Sequence, residues 1–381
     1  MKQIYMNYAA TSPRMSPAVT DALVGHLRQN VNLNAGRNFE GLDDSAIELR
    51  ARRALAGLFN VADPNRVIFT SGITASLNMI LNGLLKEGDH VLTSGVEHNA
   101  VARPLEMLRR KGVIEVDHLQ CQADGTLDPE SVHKAFLPNT RLVVLTHASN
   151  VLGTILPIRE CFRIARERGA LTVLDAAQTA GVFPFSMDDQ NIDVLAFTGH
   201  KGLRGLAGTG GFVLSPSAAE QMAPWLSGGT GSASDNLEQP DFLPDKFEPG
   251  THNILGILSL ALSVEEILRL GVDVIRAREM TLTAKFLELC EGLPNLRVHG
   301  PKDAKRSAAI VSVDSPGGDV GVMAGRLYYE HGVITRSGLH CSPLAHKTAG
   351  TFPHGTLRFS LGYDTTEKEL FDVAEALKKV L

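Results

Sequence analysis

Lys201 follows the apolar run Ala196-Phe197-Thr198 in the segment Thr198-Gly199-His200-Lys201-Gly202, and Asp175 closes an earlier run, Leu171-Thr172-Val173-Leu174. An amine and a carboxylate delivered by the ends of two buried strands suit one kind of chemistry. The amine can form a Schiff base with a pyridinium aldehyde, while the carboxylate keeps the pyridine nitrogen protonated so that the ring withdraws electrons from a substrate carbanion. Lys201 must spend part of its time neutral to attack an aldehyde, which loss of hydration and nearby positive charge both favour. The pair therefore reads as a pyridoxal phosphate site.

Other segments carry groups suited to the same cofactor. Val67-Ile68-Phe69-Thr70-Ser71-Gly72-Ile73-Thr74 reads as a strand, a glycine turn and a helix start, where free amides at Ile73 and Thr74 can hold a phosphate. An ordinary Thr or Ser cap is the other use of such a turn. His98 stands just past the run His90-Val91-Leu92-Thr93-Ser94, where an imidazole can stack on a cofactor ring and move protons. The run Leu142 to Thr146 delivers Ser149-Asn150, and Asn150 can donate to a phenolic oxygen, as can Gln178 beyond Asp175. Thr198 and His200 flank Lys201 closely enough to reach the phosphate. Arg358, in the alternating run Thr356 to Leu361, can clamp a substrate carboxylate through two parallel hydrogen bonds; a charge at a strand edge is the alternative.

Such groups need a scaffold that gathers strand ends. From about Val67 to Ser215, apolar runs alternate with helical segments such as Pro157 to Arg168, which Gly169 stops. That is the βα pattern of a mostly parallel sheet, whose ligands collect at its carboxyl edge. Gly228 to Ser234 reads as a loop. The segment Ile254 to Leu293 reads as helices leaving this large domain. Alternating runs at Ala308 to Val313 and Leu357 to Leu361, with a helix over Glu367 to Leu381, predict a small α+β domain. The expected division is 15–255 for the large domain, and 1–14 with 256–381 for the small one.

Bulk properties narrow the partners. The 381 residues carry 37 basic and 42 acidic side chains, a formal charge of -5 that leaves no basic footprint for nucleic acid. The apolar stretch Ile254 to Val264 is far short of the ~20 residues of a membrane span, and Glu265 and Glu266 close it. No basic segment precedes an apolar one near Met1, so a cytoplasmic protein without membrane or nucleic-acid partners is expected. None of the four cysteines has CxxC or CxxH spacing, so neither a metal site nor a disulfide framework is expected. Cys161 and Cys290 fall on or beside apolar helical faces and read as core, whereas Cys121 reads as structural or incidental. Cys341 differs. Beside His340 and with Arg336 upstream, it sits where positive charge favours the thiolate, the nucleophilic form.

Taken in order, Ser71-Gly72-Ile73-Thr74, Glu97-His98, Ser149-Asn150, Asp175-Ala176-Ala177-Gln178, Thr198-Gly199-His200-Lys201, Phe247-Glu248-Pro249-Gly250-Thr251 and Arg336-Ser337-Gly338-Leu339-His340-Cys341 resemble the class V family of pyridoxal phosphate enzymes. Within that family they resemble the cysteine desulfurases. The resemblance implies a fold-type I α/β architecture in which Asp175 faces the pyridine nitrogen, His98 lies over the ring, and Gln178 and Asn150 address the ring oxygen. Ile73, Thr74, Thr198 and His200 would hold the phosphate, and Thr251 would reach the phosphate of a second copy, implying a homodimer. Arg358, with Asn150 and Asn7, would bind L-cysteine. Its sulfur would pass to Cys341 as a persulfide and then to an acceptor protein, leaving L-alanine. Ile73, Ala176 and Leu339 stand where hydroxyl, glycine and histidine residues are frequent in the family. A selenocysteine lyase, or a class V aminotransferase or epimerase with Cys341 idle, is the alternative reading.

Overall fold

Seven short runs build the larger sheet of the computed structural model, which describes residues 3–29 and 44–381. Met1 and Lys2, the start of the expected small domain, and residues 30–43, within the expected large one, lie outside the described residues. Across the sheet the strands are Val67–Thr70, Gly210–Leu214, Val194–Thr198, Leu171–Asp175, Thr140–Thr146, Asp89–Ser94 and Ile114–Leu119. Pairing is parallel except around Gly210–Leu214, which runs against both its neighbours. Helices cover both faces, so the three strands Leu171–Asp175, Val194–Thr198 and Gly210–Leu214 are buried at every residue. This is why they read as unbroken apolar runs rather than as alternation. Successive side chains still part to opposite faces. Leu174, Leu195 and Val213 join Leu55, Phe59 and Phe162 in one core, and Val173, Ala196 and Phe212 join Leu77, Ile80 and Leu105 in the other.

The register places chemistry at one edge. Thr70, Gly210 and Thr198 lie abreast, as do Thr146, Asp175 and Ala196. Because Gly210–Leu214 is antiparallel, its first residue meets the last residues of its neighbours. The loops leading to Gly72, His98, Asn150, Asp175 and Lys201 all leave from this carboxyl edge.

A smaller antiparallel sheet has the order Arg336–Gly338, Thr356–Ser360, Ile310–Asp314, Arg297–His299. Helices Val272–Glu291, Val320–His331 and Glu367–Val380 pack on it through Phe286, Cys290, Leu327, Leu370 and Leu377. The N-terminal strand Ile4–Tyr5 pairs in parallel with Val333–Ile334, and Ile4 and Met6 are buried in this second core. The mixed α/β architecture with a mostly parallel central sheet is thus the one expected. Helix Ile254–Leu270 still packs on the larger core through Ile257, Leu260, Ala261 and Val264. Among the described residues no helix is long and apolar enough to cross a membrane.

One buried ion pair fastens the edge of the larger sheet. The Arg52 guanidinium, on helix Asp44–Leu58, bonds both oxygens of Glu248 and lies 4.5 Å from the centre of the Phe69 ring. Glu248 also accepts the Phe69 amide at 2.6 Å. Removing one member of such a pair leaves the other charge buried and alone. Glu248→Ala is expected to cost roughly 3–5 kcal/mol, read as a lowered midpoint in chemical denaturation.

Candidate active site

Lys201 is held from behind. Thr11 and Ser12, from the N-terminal segment, bind the loop: the Thr11 hydroxyl and the Ser12 amide donate to the His200 carbonyl at 3.1 and 2.8 Å, and the Ser12 hydroxyl donates to the Lys201 carbonyl at 2.7 Å. Its amine is lowered to about pKa 8, first by loss of hydration and further by Arg358 and Arg336, against the pull of Asp175 and Cys341. The neutral fraction that imine chemistry requires is therefore present near neutral pH. Asp175 is buried at its strand end, where one oxygen accepts the Ala177 amide at 2.9 Å. Burial pushes its carboxyl upward, opposed by that amide and by Lys201. A protonated ring nitrogen is the kind of partner that restores its charge.

His98 caps helix Asn99–Arg110, its Nδ1 accepting the Ala100 amide at 3.0 Å. That bond leaves the ring proton on Nε2. Burial, then Lys201, Arg336, Arg358 and Arg103, push the imidazole down to about 4 and keep it neutral. The next residue, Asn99, donates its amide to the Cys341 carbonyl at 2.8 Å, which brings the cysteine loop to this helix end. Cys341 is exposed, with one Arg336 guanidinium nitrogen 3.9 Å from its sulfur.

Arg358 is only 1 % exposed. It donates to the Asn150 carbonyl at 2.9 Å and to Asn7 Oδ1 at 3.2 Å, and its Nε has no partner. A guanidinium has five N–H donors, so several remain for an anion. Burial, reinforced by Arg336, pushes it down to about 9, as expected of a cation lacking its counter-ion. Asn150 also holds the neighbouring loop. Its Nδ2 donates to the His340 carbonyl at 2.8 Å and its Oδ1 accepts from Ser342 at 2.6 Å, so the side chain clamps the cysteine loop and keeps one N–H for a ligand. Gln178 donates to the Ala9 carbonyl at 3.2 Å and, with Lys201, lines a narrow cleft between the two sheets.

The phosphate end fits as well. Gly72 is the N-cap of helix Ile73–Leu84, and no side chain caps that first turn. The expected alternative, a Thr or Ser cap, is absent there. A Cβ on Gly72 would lie 3.9 Å from Thr198 Oγ1, so that hydroxyl faces the free helix terminus. A Cβ on Gly210 would meet the Gly72 Cα at 2.6 Å, so a side chain there would displace the turn. Ile73 is buried and Thr74 exposed, making backbone amides and the Thr74 hydroxyl the available donors. His200 shares a proton with Thr11 at 3.1 Å and is half-buried. Thr251 stands apart: within its own chain it lines a separate depression with Glu48, Arg52, Glu248 and His252.

Residues without an expected role also converge. Glu97 is fully buried, accepts the Thr146 amide at 2.9 Å and a bond from Ser94, and leaves Oε2 unpartnered. Burial raises it to about 8. An acid immediately before His98 was its only signal. Cys161 and Cys290 are buried as expected, and Cys121 is half-buried with burial raising its thiol to about 11. Among the described residues no group of three or more His, Cys, Asp or Glu is placed to hold a metal.

A family model described as aminotransferase class V matches residues 4–373. A probable cysteine desulfurase of Xylella fastidiosa is 33% identical over 99% of this chain and 90% of its own, and one of Methanothermobacter thermautotrophicus is 32% identical over 99% and 94%. Among solved structures, a cysteine desulfurase from Thermococcus onnurineus superposes with a TM-score of 0.90 at 28% identity, covering 99% of this chain and 94% of that one. The electrostatics around Lys201 can be checked directly. In protein free of added cofactor, acylation of Lys201, followed by peptide mapping, should be half-maximal near pH 8. Asp175→Asn should move that midpoint to lower pH, because the aspartate charge is what holds the proton on.

Proposed function

Since the chain belongs to the class V aminotransferase family, we propose that it is a pyridoxal-phosphate-dependent cysteine desulfurase, converting L-cysteine to L-alanine with the sulfur left on Cys341. The observation that carries this reading is the convergence of an exposed Cys341, Arg336, Arg358, His98 and Lys201 into one electrostatic neighbourhood. When bound, pyridoxal phosphate supplies a ring that accepts negative charge from the substrate α-carbon. Asp175 would hold the ring nitrogen, the amides at Ile73 and Thr74 with Thr198 and His200 would hold the phosphate, and Gln178 and the spare N–H of Asn150 would address the ring oxygen.

The residues divide the work by their chemistry. Arg358 seats the substrate carboxylate, with Asn7 fixing the plane of the guanidinium. Lys201, neutral for part of the time, takes the α-proton. His98, with its proton on Nε2, is a donor on the same site and not a base. The Cys341 thiolate attacks the substrate sulfur: a sulfur–sulfur bond forms, the carbon–sulfur bond breaks, and its electron pair stays with carbon. Protonation of that carbon, and return of the proton held by Lys201 to the α-carbon, complete alanine, and Cys341 is left as a persulfide. Transfer to an acceptor protein, a homodimer in which Thr251 serves a second copy, and a reducing cytoplasmic setting that keeps the four free cysteines reduced complete the reading.

Lys201→Ala should abolish both the visible band of the loaded protein and alanine formation from L-cysteine. Cys341→Ala should keep the band and lose persulfide and alanine; alanine release at the parent rate would refute the assignment. Gly210→Ala, by displacing the Gly72 turn, should weaken pyridoxal phosphate uptake roughly tenfold or more, since a hydrogen bond to a charged group is worth about 1.5–3 kcal/mol. Equilibrium dialysis against the cofactor reads it.

A further inference from the structure

His340 and His346 stack nearly parallel, with their planes 23° apart, behind the cysteine loop. Both are buried, and each ring uses both nitrogens. His340 Nε2 lies 3.1 Å from the Arg336 carbonyl, His340 Nδ1 lies 3.3 Å from His346 Nε2, and His346 Nδ1 lies 2.7 Å from the Thr351 hydroxyl. A carbonyl only accepts, so the His340 proton is on Nε2 and its Nδ1 accepts. His346 must then donate from Nε2, and its Nδ1 must accept from Thr351. Every proton is thereby assigned. The reverse arrangement would require a cationic His340 facing Arg358 and Arg336, with His299 adding repulsion at His346. Burial, first, keeps both rings neutral, down to about 3 for His340 and about 4 for His346.

The chain of bonds ends on a meaningful atom. The Arg336 carbonyl belongs to the residue whose guanidinium reaches the Cys341 sulfur. His340 and Cys341 both adopt left-handed backbone, with φ of 49° and 57°, a conformation that non-glycine residues keep only when their surroundings impose it. We propose that His340 and His346 are positioning residues for Cys341: the one-way chain from Thr351 through His346 and His340 to the Arg336 carbonyl holds the thiol beside the Arg336 guanidinium. The inference rests on the reading of Cys341 as the nucleophile, and the chain would act on that thiol whatever its substrate.

The test is the rate of Cys341 alkylation by iodoacetamide in the loaded protein, mapped by peptide, with Cys121 and Cys161 as internal reporters of unfolding. His340→Asn is the sharpest variant. Asparagine accepts left-handed backbone readily and can take the His346 proton, but it is too short to reach the Arg336 carbonyl. It should slow alkylation about tenfold or more, in line with the ~100-fold that a 1 Å misplacement can cost. His346→Leu should do the same, whereas His346→Gln, whose amide nitrogen donates from the place of Nε2, should restore the rate to within about threefold of the parent. Parent-rate alkylation in His340→Asn overturns the proposal, as does His346→Gln being as slow as His346→Leu. Should the leucine variant unfold, exposing Cys161 to the reagent, the asparagine and glutamine variants decide between them. Alanine formation from L-cysteine by the parent is scored separately, so a failed desulfurase reading and a failed positioning role give different results.

Discussion

The Lys201 amine loses hydration while two guanidinium groups stay close to it, and the rest of the site follows from that constraint. Lost hydration and the charges of Arg358 and Arg336 loosen the ammonium proton, while Asp175 limits how far this goes. The same guanidinium groups form the seat for an anion. A substrate carboxylate on Arg358 would cancel part of the field that weakens Lys201 as a base, so the amine gains proton affinity when the α-proton becomes available to it. Binding and basicity are coupled through one buried cation.

Loops bearing reactive groups are useful only if something rigid locates them. Here the fastening comes from distant chain. Thr11 and Ser12 hold the backbone of His200 and Lys201, Asn150 holds the carbonyl of His340 and the hydroxyl of Ser342, and Asn99 holds the carbonyl of Cys341. Lys201 follows a strand of the larger sheet and Arg358 lies on the smaller one, yet the N-terminal segment touches both: the Ala9 amide donates to Ser360 at 2.8 Å, two residues past Arg358, while Ser12 holds Lys201. Geometry across the cleft is set by this strap.

Much of this was legible in the sequence because burial writes itself into composition. Leu171–Asp175 and Val194–Thr198 are covered on both faces, so their apolar runs were plain, and the acid ending one and the lysine following the other stood out. Gly210–Leu214 was harder: its glycines serve close approach to Gly72 and Ile68, a reason that appears only when the strands are side by side. Asn150 was recognised as important but not for what its amide mainly does, since its partners His340 and Ser342 lie far along the chain. Arg358 read equally well as a strand-edge charge until its burial was known. His340 read as a positive neighbour of Cys341, whereas burial keeps its ring neutral and leaves the positive charge beside the sulfur to Arg336; its pairing with His346 gave no signal, because only a three-dimensional fold excludes water from both rings.

The pairing of Ile4–Tyr5 with Val333–Ile334 has a consequence for how the molecule is made. Ile4–Tyr5 is synthesised more than three hundred residues before its partner, and until that partner emerges the Thr11 and Ser12 strap lacks this anchor. The larger sheet can assemble during synthesis, but Lys201 gains its full backing only once Val333–Ile334 has emerged. A nascent chain would therefore hold its larger sheet before Lys201 is backed and before Cys341 has been made.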